Sequence, residues 1–205
     1  MTVTRARAHV AAAIVASALA VACVAALAAL PVASAQAPTQ AVRDTWVARM
    51  PKAGVLSLKD PGGLFTMDYP RRDWTVVPGA GPIVATIVNK KGDAAIVIEQ
   101  AVLKQPLAPA DITELFAELE LELVRERQPR ATDFQSRVIG YEGRTLAALQ
   151  FVRPGVTGME RVRQFSIPAG LRLYRVSCVA ALGSFAANET WFAHAAATFL
   201  PVTME

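Results

Sequence analysis

The sequence predicts an antiparallel α+β fold, a sheet packed by helices, and three observations predict it. Short apolar segments bounded by glycine and proline turns occupy residues 55–103 and again residues 134–180. One long amphipathic helix pattern separates the two groups at residues 111–127, and a second closes the chain at residues 185–199. Strands, a helix, more strands and a final helix place the helices against antiparallel strands rather than between parallel ones.

Ahead of the fold stands a leader. Arg5 and Arg7 precede an apolar run from Val10 to Leu30, followed by Pro31 and "VASAQAP". Ala33 and Ala35 are the small residues that signal peptidase reads, so residues 1–35 read as a secretory signal and Gln36 as the first mature residue. Cleavage after Ala37 would require hydrolysis on the amino side of Pro38. Two further readings attach to this segment: the run of 21 residues also meets the length of an uncleaved anchor, and Cys23 follows small residues as a lipidated cysteine does. Against lipidation, the chain behind Cys23 stays apolar.

Residues 36–54 form a tether and a short helix, with Val42, Trp46 and Met50 on one face before Pro51 stops it. The domain proper is residues 55–205. "VLSLKDPGGLFTMDYP" gives two strands around a Pro-Gly-Gly turn, then come "WTVV", "PIVATIVNK" and "AAIVIEQAVL", the last two joined by an "NKKGD" hairpin. In the long helix, Ile112, Leu115, Phe116, Leu119 and Leu123 recur at helical spacing, which predicts the buried face, and Asp111 with Glu114 resembles a capping box. Glu114, Glu118, Glu122 and Glu126 run at intervals of four; we read them as a solvated face rather than a cation site, since calcium usually draws its oxygens from a loop. The strands "FQSRVI", "TLAALQFV", "ERVRQFSI" and "LRLYRVSCVA" follow, and the closing helix offers Phe185, Phe192 and Phe199 to the sheet.

Composition excludes several classes of function. Cleavage would leave 170 residues with nineteen basic and seventeen acidic side chains, a net charge of +2 too even for a nucleic-acid binder. Cys178 alone among the cysteines would remain, so the exported chain would fold without an intramolecular disulfide. With one cysteine and one histidine, a Cys/His metal site lacks ligands, and no cofactor is expected. That histidine, His194, sits among alanines and aromatics in the last helix with no G-x-S-x-G elbow, and reads as structural rather than catalytic.

The segment "GGLFTMDYPRRDW" at residues 62–74, with "VIGYEGRTLAALQF", "LRLYRVSCVA" and "TWFAHAAATF", resembles the PsbP-like superfamily. That superfamily joins the extrinsic photosystem II protein, the nuclear-import factor that binds Ran, and exported bacterial proteins of unknown role. The resemblance spans about residues 55–201; it implies an α/β/α sandwich and carries no catalytic residue. "MDYPRRDWTV" itself is the corner at which the chain enters its core: Pro70 biases Tyr69 to extended geometry and Trp74 buries its ring where the next strand begins. The competing reading is a docking spot in which Arg71 and Arg72 contact an anionic partner.

One candidate binding feature stands out. A hairpin symmetric about Ala169 sets Arg163 directly opposite Arg175, with Arg161 following on the same face, a basic patch for an anion or an acidic partner. The alternatives are neutralisation by Glu99 or Glu160, or a register shifted by one. The expected function is a non-catalytic interaction or assembly module of the cell envelope, exported to the periplasm or beyond, with a carrier of a small or lipid-like ligand as the second reading. Its expected partner is an envelope protein or a small ligand, with no nucleic acid, and no membrane after signal cleavage.

Overall fold

The computed structural model describes Trp46, Val47 and residues 54–202, all within the unit Ala41–Glu205. The proposed cleavage site at Ala33, Ala35 and Gln36, Cys23, and the short helix from Val42 to Met50, apart from Trp46 and Val47, lie outside the described residues. Trp46 and Val47 are a turn and a bend, and both are buried.

Alternating apolar residues build the strands. β1 (Val55–Lys59) and β2 (Phe65–Pro70) pair antiparallel across the Pro-Gly-Gly turn, and β9 (Leu200–Pro201) pairs with the other side of β2. β3 (Trp74–Pro78), β4 (Ile83–Asn89), β5 (Ala94–Leu107), β6 (Thr132–Tyr141), β7 (Arg144–Pro154) and β8 (Met159–Ala181) make a six-stranded antiparallel sheet in the order β3-β4-β5-β8-β7-β6. In β4 and β5, Ala85, Ile87, Ala94, Ile96 and Ile98 are buried while their neighbours in sequence are only partly so, the period-two signature of a sheet with one deeply packed face.

The two helices, α1 (Glu114–Arg127) and α2 (Phe185–Thr198), cover opposite faces. On one, Leu121 and Val124 of α1 pack with Leu149, Phe151, Val162 and Val179. On the other, Phe185 and Phe192 of α2 join Phe65, Met67, Ile96, Phe165, Tyr174 and Phe199 in the main core. The closing phenylalanines Phe185, Phe192 and Phe199 are all buried, as their spacing predicts. The small sheet rides on the α2 side, where Phe65 stacks on Phe199 at 5.0 Å and Asp68 N donates to Thr198 Oγ1 at 3.1 Å. This is an α+β sandwich with helices on both faces of the sheet. No helix among the described residues is long and apolar enough to cross a membrane.

Two expectations need correction. The capping residue of α1 is Thr113, whose side chain accepts from Phe116 N, while Asp111 Oδ2 accepts from Ala108 N in a separate 3₁₀ turn. The helix is also rotated: Ala117, Glu120, Leu121 and Val124 face inward, while Leu115 and Leu119 are 49% and 39% exposed. Ile112 is buried, but it precedes the helix.

The second correction concerns β8. This unbroken 23-residue strand run doubles back on itself: Leu182 N donates to Met159 O at 2.9 Å and Ser177 Oγ to Gln164 Oε1 at 3.4 Å. Its first arm pairs with β7 and its second with β5. The tip is Gly170–Leu171 rather than Ala169, because Gly170 takes φ +60°, which a primed two-residue turn requires and which alanine adopts only with strain. In this register Arg163 lies across from Cys178 and Arg175 across from Ser166. The change of parity sends the two arginines to opposite faces of the sheet.

Candidate functional site

The three arginines singled out by sequence therefore form no common patch. Arg163, on the first arm of β8, points to the α2 side and is only 4% exposed. Its Nε and Nη2 donate to Gln150 Oε1 at 3.2 and 2.9 Å, and Nη2 lies 2.9 Å from Glu189 Oε1. The guanidinium sits over the rings of Trp46 (4.4 Å) and Phe185 (5.3 Å), with Arg137 over Trp46 at 3.8 Å. Burial lowers the pKa of Arg163, and the Glu189 carboxylate opposes that shift. Arg161 follows on the same face, over Phe185 at 5.7 Å.

Arg175 serves the other face. Its Nε and Nη2 each donate at 2.7 Å to the two oxygens of Glu120, a bidentate pair, and Ser166 Oγ donates to the same carboxylate at 2.9 Å. Glu99 lies directly across on β5. Burial works against the charged guanidinium, but the hydrogen bonds and charge of Glu120 outweigh it and hold the pKa above its usual value. This pair holds Glu120 inward, on the same face of α1 as Ala117, Leu121 and Val124. Of the two carboxylates offered by sequence as neutralisers, Glu99 flanks Arg175, while Glu160 contacts Arg153 at 3.4 Å.

The cysteine and the histidine of the domain are closed off. Cys178 is fully buried with Sγ 3.9 Å from Phe192 O, and burial pushes its thiol up to about 12. His194 is 2% exposed, with Nε2 3.9 Å from Asp68 Oδ2 and Trp191 edge-on to its ring. At the corner ahead of β3, Arg71, Arg72 and Asp73 are exposed, Asp73 pairs with Lys90 at 3.5 Å, and the ring of Trp74 packs against the main core.

What the sequence missed is open surface. Leu115, Glu118, Leu119, Leu121, Glu122 and Arg125 of α1, with Ser136 of β6, line a shallow groove of about 370 Å³. Its leucines match a buried stripe in sequence, but "ELELEL" at residues 118–123 supplies two competing faces, and the one turned inward meets Arg175 and Ser166, far along the chain. Glu114, Glu118, Glu122 and Glu126 are all exposed, as the solvated reading holds.

No protein-family model matches the sequence, and no curated protein does. Solved structures do. The chain is similar to cyanobacterial PsbP (CyanoP) from Synechocystis, at 11% identity and a TM-score of 0.57, over 73% of this chain and 94% of that one. It also matches LpqN, involved in cell envelope biogenesis of Mycobacterium tuberculosis, at 14% identity and a TM-score of 0.46, over 72% and 91%. A Pseudomonas aeruginosa protein of unknown function matches at 13% identity and a TM-score of 0.42, over 74% and 100%. The paired sheets, the helices on both faces and the near-complete overlap with CyanoP lead to one conclusion: this chain has the PsbP-like fold.

Proposed function

We propose that the protein is an exported, non-catalytic module of the cell envelope that acts by binding another protein. One observation carries the reading: the cysteine and the histidine of the domain, with Arg163 and Arg175 of β8, are built into the interior, while apolar surface is left outside. Cys178 and His194 are buried, Arg175 is committed to the buried Glu120, and the buried Arg163 to Gln150 and the partly exposed Glu189. A nucleophile or general base must reach substrate, and these do not. The leader pattern at residues 1–35 supports export.

The carrier reading would place a ligand between sheet and helix. There, Phe65, Tyr174 and Phe199 contact one another with ring centroids 5.0–5.8 Å apart, and Phe185 meets Phe192 at 5.2 Å, so this interior is filled by its own side chains. The test is crosslinking and affinity capture of the native protein from its own envelope fraction, with mass spectrometry of proteins and extracted small molecules. A reproducible protein partner is expected. A stoichiometric lipid or metabolite with no protein partner would replace this reading with the carrier.

A further inference from the structure

The rotation of α1 gives the interaction reading a place. An isolated exposed leucine calls for no explanation, but Leu115 and Leu119 stand one helical turn apart on the lining of a concave surface. Leaving such a pair in water forgoes the free energy that covering its apolar area would release. Turning them inward would take roughly half a turn of the helix, which would carry Glu120 away from Arg175 and Ser166.

The surroundings of the groove are acidic. Glu118 and Glu122 line it, and Glu114 and Glu126 extend the same exposed row along α1. Arg125, the cation of the lining, is held by Glu122 and lies over the Phe134 ring at 5.0 Å. Glu118 has no ion pair among the described residues. The occupant that complements this surface is apolar along its centre and basic along its flanks.

The secondary structure of that occupant is constrained as well. β6 is an edge strand, where an added strand could dock. Glu114 Oε1 already accepts from Val138 N at 3.3 Å, which caps a donor that an incoming strand would need. A helix requires none of these backbone groups, and its anchors at three- and four-residue spacing match leucines four residues apart.

Resting on the interaction-module reading, we propose that this groove receives an amphipathic helix of a partner protein whose apolar stripe is flanked by lysine or arginine. The test places a photoreactive benzoyl-phenylalanine at position 119 of the full chain in the producing cell, with Val156 and Leu171, both exposed elsewhere, as reference positions. The crosslinked segment is then read by mass spectrometry. Position 119 is expected to capture a protein segment with apolar residues at helical spacing and basic residues beside them. Paired Glu118→Lys and Glu122→Lys changes are expected to cut that product about tenfold at equal protein level, and Leu115→Ser to reduce it by a similar factor.

Capture of lipid, of a second copy of this chain, or of an acidic or extended segment at position 119 would overturn the proposal, as would a yield indifferent to charge reversal. Partner capture at Val156 or Leu171 but not at position 119 would overturn the groove and leave the module reading standing. No protein product at any position would overturn the groove, with the module reading then decided by the envelope capture.

Discussion

The two faces of the six-stranded sheet are held by different physics. Under α2 the core is aromatic and aliphatic, with Phe65, Tyr174, Phe192 and Phe199 all fully buried. Beneath α1 the hydrophobic cluster is smaller, and at its side a carboxylate, a guanidinium and a hydroxyl meet in a buried hydrogen-bonded set. Hydrophobic packing is non-directional and tolerates several helix rotations, whereas a bidentate ion pair accepts one. Hence α2 could be read from its phenylalanine spacing, and α1 could not be read from its leucines.

The largest difference between the faces is expected from truncation under α2. Phe192→Ala removes a fully buried ring and leaves a cavity, and should cost about 4 kcal/mol in urea unfolding. A loss below about 1 kcal/mol would mean that this face is not the principal core.

Breaking the ionic set comes next. Glu120→Ala strands Arg175 in a poorly solvated site and should cost about 3 kcal/mol, whereas replacing the set together, Glu120→Met with Arg175→Leu and Ser166→Ala, should restore stability to within about 1 kcal/mol of the parent. The sharper readout is orientation: Arg175→Leu alone leaves the Glu120 carboxylate buried without its partner, so α1 should turn it toward water and Leu115 and Leu119 inward, and their NMR exposure should fall. If Arg175→Leu leaves both leucines exposed, the ion pair does not set the rotation.

Cys178 separates the faces by pH. Its folded thiol is raised from 9.0 to about 12, so above about pH 9 the unfolded chain loses a proton that the folded chain keeps. The associated stability is present below pH 9 and is lost as pH rises toward 12, at up to roughly 1.4 kcal/mol per pH unit. Cys178→Ala should flatten that part of the curve, and the native thiol should resist iodoacetamide at pH 8 until the protein unfolds. Labelling of the native protein as fast as of free cysteine would contradict the burial.

Much of the fold was legible because its signals are local. Gly92 and its neighbours give the β4–β5 hairpin, and Phe185, Phe192 and Phe199 mark the inner face of α2. The register of β8 was half legible: the turn was visible, and Gly170, with its tolerance of positive φ, was the residue that should have centred it. The groove was illegible because it depends on Glu120 meeting Arg175, a contact 55 residues apart that no window of sequence contains.

The smallest expected effect on stability is the one that best separates the inside of α1 from its outside. Leu119→Ser leaves the folded core untouched and should change unfolding stability by no more than about 0.5 kcal/mol, because the side chain is already partly in water. Buried Leu121, two residues on, should cost about 3 kcal/mol when changed to alanine. The contrast tests whether the groove leucines are structural. A loss above about 1.5 kcal/mol for Leu119→Ser would return them to the core and remove the reason for a partner, whereas a near-silent change would leave two leucines whose exposure the fold itself does not require.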